Sequence, residues 1–281
     1  MQVRDNGAQR ASIHRTARLL ALPILAAVIA FGGLAVDPTP ASAASVKVVV
    51  IVGPVGSSTA NYIKNAKRYA AQARSYGATV KELYSPNATW AKVKAAAVGA
   101  NVVIYLGHGN GHPSPYGAFY SDRKDGFGLN KAAAKGNNNT KYYGEDYVRT
   151  LKVQKNAVVI LNRLCYASGD SEWGRANPTK TTAKKRVDNY GAGFLRSGAS
   201  AVFANGIDSA SSIVRSLLTG GRTLGEIFRA DPAWTGTRDF KFASSRTPGT
   251  TAWMDPYKAG RYYHSVIGKL SVTASQVRAG G

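Results

Sequence analysis

Two apolar runs decide the reading of this chain: Asn101-Val102-Val103-Ile104-Tyr105-Leu106-Gly107-His108-Gly109 and Asn156-Ala157-Val158-Val159-Ile160-Leu161-Asn162-Arg163-Leu164-Cys165, the second followed by Tyr166-Ala167-Ser168-Gly169. Each is short, rich in Val and Ile, and bounded by turn residues. A run with no polar face predicts a strand covered on both sides, as in a parallel sheet, rather than an amphipathic helix. In open α/β sheets, chemistry gathers at the carboxyl ends of parallel strands. His108 and Cys165 each close such a run, so they are expected side by side. Cys165 is the one cysteine of the chain.

The segments upstream supply the other layers. Residues 46–52 are apolar but for Lys47 and predict a first strand. Gly53 to Thr59 reads as a strand-to-helix turn; it lacks the Gly-Lys-Ser/Thr ending of a phosphate loop. Residues 59–76 place Tyr62, Ala66, Tyr69, Ala70 and Ala73 on one helical face, and Gly77 stops the helix. A strand over 78–84 and a short helix over 89–97, with Trp90 and Val93 inward, complete a β-α-β-α-β series. Right-handed crossovers then give a three-layer α/β/α sandwich on a mostly parallel central sheet.

Between the two runs the chain turns irregular. Residues 110–140 are rich in Gly, Pro, Asn and Tyr, and follow His108 directly. A loop of that length predicts a lid or a substrate-binding wall, packed through Tyr116, Phe119, Tyr120 and Phe127. A helix is expected over 142–151, its acidic start at Glu145 and Asp146 suiting the dipole. Beyond Cys165, a second loop (169–182) carries Asp170, Glu172 and Trp173. A helix over 183–197, a strand over 199–205 and helices over 209–218 and 223–229 follow. The tail from Asp231 is turn-rich, with one late strand candidate at 263–272. The expected organisation is one domain over residues 44–281, with its core at about 46–229 and an irregular extension at 230–281.

Residues 1–43 read as a secretory signal: four arginines against one acid in the first 18 residues, an uncharged apolar run from Leu19 to Val36, then Ala41-Ser42-Ala43 as a cleavage pattern. The alternative is a retained anchor, since the run is long enough to span a bilayer. The expected location is secreted or cell-wall associated, with no membrane contact after cleavage. A lone cysteine permits no intramolecular disulfide, so an exported domain must be stable through its core.

The charge is lopsided, +22 for the chain. Four Arg and two Asp leave with residues 1–43, so the remainder carries +20. Such a surface attracts polyanions, including anionic cell-wall polymer. The bases are scattered along predicted helices rather than gathered in a nucleic-acid module, so no specific nucleic acid is expected.

A thiol becomes a nucleophile when a neighbouring imidazole favours the thiolate. Gly107 and Gly109 flank the histidine and let substrate backbone approach. Backbone N–H groups near Cys165 and Gly109 are placed to hold an oxyanion. Two other readings stand beside this one. Cys165 is a small buried hydrophobe and His108 a turn residue; or His108 and His112, with Cys165 or His264, hold a metal. Gly109, Gly111 and Pro113 argue against the helical His-x-x-x-His zinc pattern, so no metal and no cofactor are expected. His264 reads as a packed surface histidine.

In this order (strand with His-Gly, strand with Cys and a nearby Ser-Gly, helix, Gly-Ala, strand) the sequence resembles the caspase-like, clan CD type cysteine peptidases, which include caspases, legumains, gingipains and CHAT domains. Residues 193–206 and 217–229 are similar to the stretch after the nucleophile in CHAT domains. The resemblance covers about Val46 to Arg229. It implies the caspase-like fold, hydrolysis of peptide or protein substrates through an acyl-enzyme, His108 as base and general acid, Cys165 as nucleophile and Gly109 as an oxyanion donor. The chain departs from the family in the residue added between Cys165 and Ser168-Gly169, and in Leu164 and Arg163 before the nucleophile. Asp125, Asp170 and Glu172 are the acids expected to receive a basic substrate side chain.

Overall fold

The computed structural model describes residues 45–280; the expected signal segment lies outside them. The Val/Ile runs form the centre of an eight-stranded sheet. Its strands are β1 (Lys47–Val52), β2 (Thr79–Tyr84), β3 (Val102–Leu106), β6 (Val158–Asn162), β7 (Ala201–Asn205), β8 (Phe240–Ala243), β9 (Thr251–Asp255) and β10 (His264–Gly268). They lie in the order β2-β1-β3-β6-β7-β10-β9-β8. The first five are parallel and the last three antiparallel. A separate antiparallel pair, β4 (Phe127–Asn130) and β5 (Thr140–Tyr143), stands apart from this sheet.

Strand alternation divides the core into two. Val49, Ile51, Val103, Tyr105, Val159 and Leu161 face the side covered by α2 (Trp90–Ala97), α3 (Glu145–Val148) and α4 (Lys180–Arg196). Val48, Val50, Val102, Ile104, Val158 and Ile160 face α1 (Thr59–Ser75), α5 (Ser211–Thr219), α6 (Leu224–Arg229) and α7 (Ala274–Ala279). Every residue of β3 and β6 is buried. Burying each Val or Ile side chain contributes about 1.5–3 kcal/mol, which stabilises the chain without a cross-link. The three-layer sandwich with a mostly parallel sheet is the architecture that the caspase-like resemblance implies.

Three expectations change. Residues 110–140 are not wholly irregular: they contain β4 and lead into β5, so Tyr142 and Tyr143 are strand and the expected helix over 142–151 shrinks to the single turn of α3. The hairpin forms because the core reaches out to it. The Tyr105 hydroxyl accepts from the Gly128 N–H (2.9 Å) and lies 2.8 Å from the Gly128 carbonyl, while Phe127 packs on Tyr105 and Phe194. Residues 230–280 are not an extension outside the core. β10 pairs with β7, and β9 and β8 widen the sheet, burying Ala252, Trp253, Met254 and Val266. His264 is correspondingly not on the surface; it is 2% exposed, stacked on Phe228 at 4.2 Å. Last, α4 begins one turn earlier than expected, because the Thr179 hydroxyl caps it by accepting from Thr182 N–H.

Candidate active site

Both chemically reactive side chains sit just beyond strand ends, on loops fixed from below. β3 ends at Leu106, and the Tyr105 hydroxyl lies 3.0 Å from the carbonyl oxygen of His108, so the fully buried tyrosine pins the histidine's backbone from inside the core. β6 ends at Asn162. Its side-chain amide donates to the carbonyls of Asn205 (3.2 Å) and Asp208 (2.7 Å), while its Oδ1 accepts from the Tyr69 hydroxyl (2.9 Å). Cys165 comes three residues later, in a turn where Ala167 N–H donates to the Cys165 carbonyl.

That turn holds two non-glycine residues in left-handed conformations, Arg163 (φ 61°) and Tyr166 (φ 69°). Such geometry costs of order 1–3 kcal/mol per residue and persists only where surroundings enforce it. Here Arg163 N–H donates to Asn205 O, the Tyr62 hydroxyl donates to Arg163 O, and Tyr166 is buried beneath the Arg186 guanidinium. Arg186 in turn donates to the carbonyls of Pro113 and Gly169, tying the loop after His108 to the loop after Cys165.

The two loops abut. A Cβ added to Gly109 would lie 2.1 Å from the Cys165 carbonyl oxygen and 3.1 Å from its nitrogen. One on Gly111 would lie 2.3 Å from the Tyr166 Cβ. Only glycine permits this approach of the loop after His108 to the Cys165 backbone. Among the described residues the Gly109 N–H has no backbone acceptor.

The electrostatics set the resting protonation states. His108 reaches solvent, yet partial desolvation holds its imidazolium below the usual histidine range, with Glu172 pulling the other way. The Cys165 thiol is pushed up to about 11 by burial and then by the carboxylates Glu172 and Asp170. The pair therefore rests as neutral imidazole and neutral thiol at pH 7, not as an ion pair.

The three acids expected to bind substrate separate sharply. Asp125 is not available: it is fully buried, accepts the His112 N–H at 3.0 Å, and burial raises its pKa to about 8. Asp170 is 3% exposed and engaged by Arg261 (3.1 Å) and Ser171 N–H. Glu172 alone stays partly open, held by Arg175 (3.0 Å) and the Tyr116 hydroxyl (2.5 Å), and it acts electrostatically on both His108 and Cys165. Burial explains the loss of the first two, since an acid in a polar loop cannot be told from one folded under it by composition. The metal alternative finds no support in the donors. His112 packs against Phe119 in a tilted arrangement, and among the described residues no group of three or more His, Cys, Asp or Glu side chains converges to hold a metal.

Residues that the sequence did not single out complete the site. Lys124 is 1% exposed, and its ammonium donates to Asn110 Oδ1, Ser114 Oγ and the Tyr116 carbonyl. The segment after His108 is thus tied back on itself through the Lys124 ammonium and forms a wall beside the site. Tyr142 on β5 lies close enough for Cys165 and Glu172 to raise its pKa, beyond the effect of burial.

Asp125 gives a direct check on the wall. Its folded pKa of about 8 lies above its ordinary 3.8. Between those values the folded state holds a proton that the unfolded state has released, so unfolding free energy falls as pH rises across that window. Asp125→Asn removes this dependence, and asparagine tolerates the left-handed backbone at this position (φ 61°). The stability advantage of Asp125→Asn over the parent is expected to grow from pH 4 to pH 8 in urea titrations and then level off; a constant difference would show that Asp125 is ionised throughout.

No family model and no curated protein matches the chain. Among solved structures it is similar to the Arg-specific cysteine proteinase gingipain R, with 17% identity over 82% of this chain and a TM-score of 0.36. The chain spans 62% of that structure's length. It is also similar to a protein from Geobacter sulfurreducens, with 15% identity over 66% of this chain and 87% of that one, at a TM-score of 0.31.

Proposed function

We propose that this chain is an exported cysteine-type endopeptidase acting on peptide or protein substrates. The observation that carries the reading is the contact of the Gly109 and Cys165 backbones at the carboxyl ends of β3 and β6. In this reading His108 takes the proton from the Cys165 thiol as its sulfur attacks the scissile carbonyl. The oxyanion is met by the Gly109 N–H. His108 then returns the proton to the departing amine, leaving a thioester, and water activated by His108 releases the acid and restores the thiol.

Because the thiol rests neutral, the histidine must be unprotonated for attack. Activity should rise from acid pH with a midpoint below the usual histidine range, following His108. Digestion of a peptide library followed by sequencing of the new termini tests the reading. The account expects internal cuts that depend on Cys165; intact peptides after prolonged incubation at pH 7–8 would reject it.

Glu172 is the acid left to meet a basic side chain beside the cut. Glu172→Gln is expected to lower kcat/KM on Arg or Lys peptides about tenfold, the low end of an interaction with a charged group, because Arg175 and Tyr116 already share the carboxylate. Peptides with a neutral residue there should be unaffected or cut slightly faster, since losing this charge eases ionisation of Cys165. Equal loss on both sets would assign Glu172 to holding the loop.

A further inference from the structure

Basic side chains gather around one turn of the described surface. The turn between β8 and β9 (residues 244–250) forms the common wall of three clefts of about 230, 510 and 500 Å³. The first holds Lys184 and Lys185. The second holds Lys155, Arg196, Arg246 and Lys269. The third shares Lys269 with the second and adds Lys241. One carboxylate, Asp188, lines any of the three. It is 6% exposed and bound by the hydroxyls of Ser244 and Ser245 and by the Ser245 N–H, so its charge is turned inward. Glu145, beneath the second cleft, is 4% exposed and fixes Arg196 and Arg246 in place.

The carboxylates are thus withdrawn into the fold, where they anchor the turn and the two arginines, while the lysines stand in the clefts. Lys155, Lys185, Lys241 and Lys269 are exposed. The three clefts run along the flank of the fold: Asn156 and Ser200 of the second precede β6 and β7, at the end of the sheet away from Cys165, whereas Lys184 and Lys185 of the first flank Arg186, which reaches the loops after His108 and Cys165. The cations are strung around a turn rather than converging on one point, which suits a chain with repeated charges better than a single small anion. Phe242 is the aromatic of the three linings, half-buried and covered by the Lys184 ammonium at 4.8 Å. Stacking platforms for nucleic-acid bases are therefore lacking in these clefts.

We propose that the three clefts around the β8–β9 turn form a binding face for a linear, non-nucleotide phosphodiester polymer, holding the protein on such a polymer. The interaction is electrostatic, so affinity falls with salt by counterion release.

The test is binding of the full chain to poly(glycerol phosphate) by fluorescence anisotropy from 0.05 to 0.3 M salt. Lys155→Glu/Lys269→Glu is compared with a charge-matched control on other surfaces, Lys64→Glu/Lys131→Glu. Melting curves confirm that both variants are folded. The expected result is at least a tenfold loss of affinity at 0.1 M salt for the cleft variant, less than a threefold loss for the control, and a shallower salt slope for the cleft variant alone. Equal losses in both variants would reduce the effect to net charge and overturn the proposal. So would the absence of binding by the parent chain, equally tight binding of oligo-dT of matched charge, or full competition by millimolar inorganic phosphate.

Discussion

Cys165→Ala is expected to take peptide hydrolysis below detection, and His108→Ala to lower kcat/KM by about 10³- to 10⁴-fold, the upper range for removing a positioned acid–base group. The alanine at 165 leaves no sulfur to carry the acyl group, and no second cysteine exists to replace it. The effect of His108 is large because the thiol is held at about 11 by burial and by two acids. Without a base beside it, few molecules carry a thiolate at neutral pH. Neither side chain bears the core: His108 reaches solvent, and Cys165 is half-buried on a turn held by Asn162, Tyr62 and Arg186. Both variants should therefore melt within a few degrees of the parent. Activity measured beside melting temperature checks this, and substantial hydrolysis by either variant would place the chemistry elsewhere.

Gly109→Ala is the second large effect. The methyl group would sit 2.1 Å from the Cys165 carbonyl oxygen, a backbone atom that cannot rotate aside. The His108 and Cys165 loops must then separate. A displacement near 1 Å at a reacting geometry costs on the order of 10²-fold in rate, and the Gly109 N–H would move with it. The loss should appear mainly in kcat, with KM changed little, because the groove walls set by Lys124 and Arg186 remain. Gly99→Ala serves as a comparison: it has open space around it (φ +68°) and should cost stability through its backbone without touching kcat. If Gly109→Ala keeps full activity, the loops do not need to abut for function.

The central strands, and the placing of His108 and Cys165 just beyond the ends of neighbouring parallel strands, were legible because burial on both faces leaves the runs almost without polar residues, and a parallel sheet dictates which ends meet. The β4–β5 hairpin was not legible. Phe127-Gly128-Leu129-Asn130 has no clear alternation, and its order comes from a tyrosine hydroxyl 23 positions earlier in the chain. In the tail, β10 falls within the strand expected at 263–272; Phe240-Lys241-Phe242 carried a weak signal, its alternation matching its half-buried and exposed positions, while β9 is defined by its pairing with β10 and β8. The same limit applied to charge. Asp125, Asp170 and Glu172 look alike in sequence, and only folding separates the buried, the paired and the open. Lys124 shows the reverse case: a lysine in a polar loop turned out to be the buried post to which that loop is tied.

The central claim is that His108 serves as the base for Cys165, and the rate of iodoacetamide labelling at Cys165 as a function of pH tests it most directly. The account predicts two limbs in the parent protein: one rising through the lowered His108 ionisation in the acid range, the other toward the thiol's own ionisation near 11. His108→Ala should lose the first limb and keep the second. Superimposable profiles for parent and variant would contradict the account and leave Cys165 an ordinary buried thiol.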